Sequence, residues 1–136
     1  MTDKSQVDVN LINGIALAFE GDAVYSYYIR RHLIFTGQTK PNQLHRLATK
    51  YVSARAQASL ITAMLEAQLL TEKEEDIYRR GRNTKSHTKA KNADVVTYRM
   101  STGFEAVMGY LDMTGQTERL EELVAWCIDW VEQEAK

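Results

Sequence analysis

Two acidic residues, Asp22 and Glu105, interrupt stretches of the chain that are otherwise largely apolar. A carboxylate in such surroundings must be paired with a cation, protonated or bound to a metal ion. The residues alone leave two arrangements open. Each acid could pair with an arginine such as Arg30 or Arg55, or both could share a divalent cation. Mg²⁺ suits the second arrangement, because it binds one or two carboxylates together with water and phosphate oxygens.

Gly21 directly precedes Asp22 inside a segment whose apolar residues recur at helical spacing. Glycine in a helix interior costs about 1 kcal/mol relative to alanine. We therefore expect the backbone of another element to pack closely against this position.

Positive charge is concentrated between Arg79 and Arg99. This segment holds seven cations and one acid, Asp94, so its charge of +6 leaves −7 for the rest of a chain whose net charge is −1. A local basic segment on an acidic body predicts a site for phosphate groups. A solvated loop without a ligand is the alternative that composition allows.

The composition indicates one soluble, cytoplasmic domain spanning residues 1–136, with residues 1–8 frayed. Apolar residues make up 44% and charged residues 26% of the chain. The single cysteine, Cys127, excludes an internal disulfide and fits a reducing compartment. The uncharged stretch Val9–Phe19 is too short to span a membrane, so no membrane association is expected.

The apolar spacing predicts an all-α fold. The expected helices are Leu11–Phe35, Pro41–Val52, Ser53–Leu70, a short helix from a Thr71–Glu74 capping box through Tyr78, a helix from near Asp94, and a last helix from about Thr117. Between Gly81 and Ala93 the apolar pattern disappears, which predicts a basic loop. Loops of this length in compact domains are usually functional or disordered.

Five motifs occur in a fixed order along the chain. They are Gly14–Asp22, Lys40–His45, Arg80–Ser86, Asp94–Arg99 and Ser101–Ala106. Together they resemble the Mini-III ribonucleases, which are ribonuclease III catalytic domains without a separate double-stranded-RNA-binding domain. The resemblance extends over residues 9–130.

This resemblance implies a homodimeric, ribonuclease III-like helical domain that cleaves double-stranded RNA and leaves 5′-phosphate ends. Asp22 and Glu105 would be the catalytic residues and would bind Mg²⁺, with Mn²⁺ as a possible substitute. The implied substrate is the precursor of large-subunit (23S) ribosomal RNA, and a ribosomal protein or pre-ribosomal particle is an implied partner.

One departure from the larger ribonuclease III family concerns the acidic cluster. That family has a glutamate four residues before the motif aspartate and an aspartate three residues before the motif glutamate. Ala18 and Thr102 occupy these positions here. The resemblance therefore implies a site of two carboxylates, in which water and phosphate complete the coordination. Glu20 is no replacement, because a residue two positions from Asp22 points to another side of the helix.

RNA contacts are expected from the basic segment. The candidate residues are Arg79, Arg80, Arg82, Asn83, Lys85, Ser86, Lys89, Lys91 and Arg99. Such side chains contact phosphates and 2′-hydroxyls, and so they recognise A-form shape more than sequence. His45 is a candidate for substrate positioning, and Asp94 for a helix N-cap or a place near the metal.

A surplus of apolar residues predicts dimerisation, namely Phe19, Tyr25, Tyr28 and the patch Met108–Leu111. Two alternatives to a nuclease stay open. The sparse acidic pair allows a non-catalytic RNA-binding ribosome-assembly factor on the same fold. A helical protein–protein adaptor would leave the +6 segment and the two acids unexplained.

Overall fold

The computed structural model of the chain describes residues 7–84 and 94–135, and all regular structure within them is helical. A short 3₁₀ turn, Val9–Leu11, precedes α1 (Gly14–Phe35), α2 (Pro41–Val52), α3 (Ala54–Glu66), α4 (Glu72–Asn83), α5 (Val95–Met113) and α6 (Thr117–Glu134). The predicted all-α fold is confirmed. None of the described helices combines the length and apolarity needed to cross a membrane.

The helix starts follow local capping. The Asn13 side chain accepts a hydrogen bond from the backbone N–H of Ala16 at 2.8 Å and so begins α1. Both bonds of the predicted capping box form at α4, where Thr71 and Glu74 exchange side-chain-to-backbone hydrogen bonds of 2.9 and 3.1 Å. Asp94 caps α5 as predicted, because it accepts from the N–H of Thr97 at 2.7 Å.

The predicted basic loop begins later than its sequence suggests, because Gly81 and Arg82 belong to α4, which ends at Asn83. Tertiary packing keeps this polar turn helical. A Cβ atom added to Gly81 would lie 2.8 Å from the Cβ of Ala106 and 2.9 Å from the Cα of Gly103. The absent side chain therefore lets the end of α4 lie directly on α5. The rest of the predicted loop, 85–93, lies outside the described residues.

The other boundary differences are small. The first helix begins at Gly14 rather than Leu11, because the Asn13 cap follows the 3₁₀ turn. The third helix ends at Glu66 rather than near Leu70. Gln68 adopts a left-handed conformation there, with a φ of 54°, which a continuing helix does not allow.

Helix α5 forms the centre of the molecule. Its buried residues cover nearly every side of the helix: Ser101, Gly103, Phe104, Ala106, Val107, Met108, Gly109, Tyr110 and Leu111. The rings of Tyr25 and Phe104 pack edge to face, with 4.9 Å between their centroids. This contact joins α1 to α5 in the core. A helix that is buried all round must be enclosed by its neighbours.

The backbones of α1 and α5 touch at two glycines. A Cβ atom on Gly21 would lie 1.7 Å from the carbonyl oxygen of Glu105, and one on Gly109 would lie 1.9 Å from that of Leu17. The close approach expected at Gly21 is therefore confirmed. It places Asp22 beside the turn of α5 that carries Glu105.

The apolar surplus assigned to a dimer interface is mostly core. Tyr25 and Leu111 are fully buried, and Met108 is 1% exposed within this one chain. Tyr28 is half-buried and donates its hydroxyl to Glu121. The assignment of Tyr25 and of Met108–Leu111 to an interface is wrong, because the part of α5 that carries Met108–Leu111 is enclosed by its own chain. Only Phe19, which is 81% exposed, lies on the surface as the prediction required.

Candidate active site

A cleft of about 200 Å³ lies between α1 and α5. It is lined by Ile15, Ala18, Phe19 and Asp22 from α1, and by Tyr98, Thr102 and Glu105 from α5. Spacings of three and four residues place each set on one face of its helix. The structure therefore brings together the two acids that the sequence singled out.

The two carboxyl groups differ in exposure. Asp22 is exposed, contrary to what its apolar sequence neighbours suggest, whereas Glu105 is half-buried. Burial raises the pKa of Glu105 to about 8, hydrogen bonding with Asp22 and its negative charge add to the rise, and Gln57 opposes it. The two acids are thus close enough for their charges to repel, and a proton or a cation must relieve the repulsion.

Arginine does not relieve it. Within residues 7–84 and 94–135 the ion pairs are His32–Glu132, Arg79–Asp76, Arg119–Glu74 and Arg119–Glu122. No cation lines the cleft among these residues. The pairing of Asp22 or Glu105 with Arg30 or Arg55, which the sequence allowed, is therefore not found.

Ala18 and Thr102 line the cleft at the positions where the larger family has acids. The Thr102 hydroxyl donates to the carbonyl oxygen of Tyr98 at 3.1 Å. The described part of the chain holds no group of three or more His, Cys, Asp or Glu residues suited to a metal ion. The acidic site consists of one carboxylate pair.

Gln57 is the site residue that the sequence prediction missed. Its side chain is on α3, is only 1% exposed, and donates through Nε2 to Oε2 of Glu105 at 3.2 Å. Its spacing in the sequence could have indicated this role. Gln57 is a polar residue on the buried face of α3, which continues with Leu60, Ile61 and Met64. A buried amide in such a stripe needs a hydrogen-bond partner.

Two other acids lie apart from the cleft. Glu20 does not line it and forms a hydrogen bond with Asp112, and this bond, burial and the charge of Asp112 raise the pKa of Glu20. Asp94 acts as the N-cap of α5. Hydrogen bonding to Thr97 lowers the pKa of Asp94, and the charge of Arg55 adds a smaller effect.

The predicted RNA-contacting residues within the described chain are mostly on the surface. Arg79 and Arg99 are exposed. Arg82 lies over the Tyr78 ring, 5.5 Å from its centroid, and donates to Asn83 at 3.1 Å. The remaining candidates lie outside the described residues: Lys85, Ser86, Lys89 and Lys91.

Arg80 has a structural contact that the prediction did not include. Its guanidinium donates to the carbonyl oxygen of Ile12 at 2.5 Å and so ties the segment before α1 to the end of α4. His45 lines a separate groove of about 240 Å³ between α1 and α2, together with Arg30, and this groove shares no residue with the acidic cleft. A role of His45 in positioning substrate stays a prediction.

The donor set of the cleft fits a hard divalent cation. Two carboxylates on facing helices repel one another, and no described residue of the cleft neutralises them. Oxygen ligands of this type are the ones that Mg²⁺ and Mn²⁺ accept, with water and substrate oxygens in the remaining positions.

Known proteins share this sequence and fold. The family model described as "Ribonuclease III domain" matches residues 15–116 of this chain. A Mini-ribonuclease 3 of Streptococcus pneumoniae is 80% identical over 126 residues, which cover 93% of this chain and 98% of that protein. A Mini-ribonuclease 3 of Enterococcus faecalis is 65% identical, over 89% of this chain and 92% of that protein.

A crystal structure of a Fusobacterium nucleatum protein has the same fold. It matches with a TM-score of 0.77 at 24% identity and covers 90% of this chain and 96% of that one. The acidic pair, the fold and the sequence matches agree, and this chain belongs to the ribonuclease III family, among the Mini-ribonuclease 3 proteins.

Proposed function

We propose that this chain is an endoribonuclease that cleaves double-stranded RNA, with Asp22 and Glu105 holding Mg²⁺. The observation that carries the proposal is the pair of neighbouring carboxyl groups, which repel one another when both are ionised, in a cleft that no cationic side chain of the described residues lines. Family membership supports the same reaction class.

The cleft contains both acidic and apolar residues. Asp22 and Glu105 provide the negative charge, and Ile15, Ala18 and Phe19 form an apolar wall beside them. A bound divalent cation would lower the pKa of a water molecule and stabilise charge on the phosphodiester oxygens.

Hydrolysis then adds the water oxygen to phosphorus and breaks the bond to the 3′-oxygen, which takes up a proton. The products carry 5′-phosphate and 3′-hydroxyl ends, as the family resemblance implies. Glu105 must give up its own proton to hold the cation, because only the ionised carboxylate is a good ligand.

The described residues on both sides of 85–93 contact or cap α5, the helix that carries Glu105, and so support a role of the basic segment in RNA binding. A Cβ atom on Gly81 would be 3.1 Å from the carbonyl oxygen of Thr102, which lines the cleft. On the other side, Asp94 caps α5 one turn before Tyr98. Phosphate contacts from the segment 79–99 would therefore hold a duplex close to the carboxylates.

We also propose a homodimer with two such clefts, each cutting one strand. Exposed apolar side chains along the first part of the chain support it: Leu11 is 81%, Ile15 41% and Phe19 81% exposed. Apolar groups that lie close together on a surface are typical of an interface.

The resemblance to Mini-III ribonucleases supports a specific substrate, the precursor of 23S ribosomal RNA, cut at its paired ends. The reaction would take place in the cytoplasm, with a ribosomal protein or the pre-ribosomal particle presenting the RNA. Cells depleted of the protein should then accumulate 23S precursors with extended ends, which primer extension would detect.

The test of the nuclease is cleavage of a labelled RNA duplex in Mg²⁺ by the wild type, Asp22→Asn and Glu105→Gln. Each substitution should slow cleavage by about 100-fold or more, the usual loss when a charge-stabilising group is removed. Glu118→Gln, an exposed glutamate on α6, is the control and should cleave like wild type. A 5′-phosphate-dependent exonuclease should degrade the products.

Unimpaired cleavage by both cleft variants would overturn the assignment of the site. Duplex binding without any cleavage by the wild type would favour the alternative that the sparse acidic pair allows, a non-catalytic RNA-binding ribosome-assembly factor.

A further inference from the structure

We propose that Gln57 is a positioning residue, whose buried amide holds the Glu105 carboxylate in the orientation that binds the cation. This inference rests on the proposed function of the Asp22–Glu105 pair. It adds a third helix to the site, since α3 contributes nothing to the lining of the cleft itself.

The position of Gln57 is fixed by the start of α3. Ser53 caps the helix by accepting from the N–H of Ala56 at 3.1 Å, and the N–H of Gln57 donates to the carbonyl oxygen of Ser53 at 2.9 Å. From this first turn the side chain reaches α5, where Nε2 lies 3.2 Å from Oε2 of Glu105. The bond therefore links a firmly capped helix end to a carboxylate oxygen.

An amide is a less stable choice than an apolar side chain at this position for packing alone. Gln57 continues the stripe of Leu60, Ile61 and Met64, which are all at most 1% exposed. An apolar side chain there would avoid the cost of burying a polar group. The hydrogen bond to Glu105 is the interaction that the amide alone supplies.

The neutrality of the amide suits a site with few charges. A lysine or arginine in the place of Gln57 would cancel one of the two negative charges that attract the cation. The amide N–H engages one lone pair of Oε2 and adds no charge, so Oε1 stays free of this bond. Restricting the rotamers of Glu105 before the cation binds reduces the entropy lost on binding.

This restriction matters more here than in a four-carboxylate cluster. Ala18 and Thr102 offer no carboxylate, so a misplaced Glu105 leaves Asp22 as the one remaining acid among the described residues that line the cleft. Partners that orient metal ligands typically contribute 10- to 100-fold in metal affinity.

The experiment measures Mn²⁺ binding to the RNA-free protein, with free Mn²⁺ quantified by electron paramagnetic resonance. Gln57→Met keeps the length of the side chain and removes the donor, and it should weaken Mn²⁺ binding about 10-fold or more. The matched control is Ser101→Ala. It removes a different buried hydrogen bond on α5, from Ser101 Oγ to the Tyr98 carbonyl, and should bind Mn²⁺ within about twofold of wild type.

A double-variant comparison separates positioning from general damage. Glu105→Gln alone should weaken Mn²⁺ binding, and adding Gln57→Met to it should weaken binding no further, because the carboxylate that Gln57 orients is already gone. Thermal unfolding without metal checks that each variant is folded, and Gln57→Leu serves as a second apolar replacement.

The outcomes distinguish the two proposals. Loss of Mn²⁺ binding in Glu105→Gln but not in Gln57→Met or Gln57→Leu would overturn the positioning role alone. Equal losses in Gln57→Met and Ser101→Ala, or two Gln57 variants that do not fold, would assign the bond to the fold and also overturn it. A wild type that does not bind Mn²⁺, or a Glu105→Gln variant that binds as well as wild type, would overturn both.

Discussion

The position that lets Glu105 share a cation with Asp22 also favours its protonated form in the metal-free protein. Glu105 must lie close to Asp22 to share a cation, yet burial and that same neighbour raise its pKa to about 8. Without a cation, most molecules at neutral pH therefore carry a proton on Glu105. Cation binding must displace this proton, so affinity should increase with pH through this range.

The same pKa predicts how stability depends on pH. The unfolded chain releases the Glu105 proton near 4.5, and the folded chain holds it up to about 8. Between these values the folded state binds more protons, so the contribution of Glu105 to stability falls as pH rises. Urea unfolding in a chelator should show the wild type losing stability relative to Glu105→Gln from pH 5 to 8, by up to about 1.4 kcal/mol per pH unit.

Glu118→Gln is the control for this measurement, because Glu118 is exposed and distant in sequence from the acidic pair, and from pH 5 to 8 its free energy of unfolding should change in parallel with that of the wild type. If the free energy of unfolding changed with pH in the same way in the wild type and in Glu105→Gln, the raised pKa of Glu105 would be contradicted.

At the scale of the elements, the contact between α1 and α5 sets the separation of the two acids. Gly21 and Gly109 let the two backbones touch, and Asp22 follows the first of these glycines directly. A helix pair held apart by side chains would place the carboxylates too far from one another to share a cation.

Gly21→Ala should therefore destabilise the protein although alanine is the better helix former. The gain of about 1 kcal/mol in helix propensity is outweighed by a Cβ atom placed 1.7 Å from the Glu105 carbonyl oxygen. Forcing the helices apart should cost about 3 kcal/mol or more, and it should lower the melting temperature by about 10 °C.

Gly37→Ala is the comparison. Gly37 has a φ of +103° and nothing within 4 Å of an added Cβ, so that variant bears only backbone strain of about 1–2 kcal/mol. If calorimetry showed a smaller loss of stability in Gly21→Ala than in Gly37→Ala, the prediction would be wrong, because α1 and α5 could then separate at little cost.

At the scale of the whole molecule, positive charge is concentrated in one segment of the chain. The segment 79–99 carries +6 against −7 elsewhere, and its described flanks contact or cap α5, the helix that carries Glu105. Contacts to phosphate release counterions, so affinity should depend steeply on salt.

Replacing Arg79, Lys85 and Lys89 together by glutamine should weaken duplex binding and flatten its salt dependence. The slope of log affinity against log salt should shrink by up to about 3, one for each lost phosphate contact. Arg80 is left in place because it also holds Ile12. The measurement uses Asp22→Asn protein to prevent cleavage.

A control of equal charge change replaces Arg46, Lys50 and Lys73, which are exposed on α2 and α4. An equal change of slope in both triple variants would mean that net charge, and not the basic segment, governs binding.

The dimer can be tested through Phe19, the exposed aromatic beside the cleft. Light scattering after size exclusion should give twice the chain mass for wild type and the single chain mass for Phe19→Glu, because a buried charge without a partner disrupts an apolar interface. Phe35→Glu, at the other end of α1 and 78% exposed, should stay dimeric. A monomeric wild type would contradict the proposed dimer.

The sequence by itself determined the helices and the candidate acids. Caps such as Asn13 and Thr71 act on backbone groups within three residues, and apolar spacing reports one helix at a time. The motif residues Asp22 and Glu105 stand out because acids are rare in apolar stretches. These signals are local, and so a single chain reveals them.

Only the tertiary structure decided what depends on contacts between distant segments. Packing against α5 keeps Gly81 in a helical conformation. The guanidinium of Arg80, a residue expected to contact RNA, donates a hydrogen bond to the carbonyl oxygen of Ile12. The bond from Gln57 joins residues 48 positions apart in the sequence. Local spacing carries no information about such a contact, because it forms only when α3 and α5 pack together.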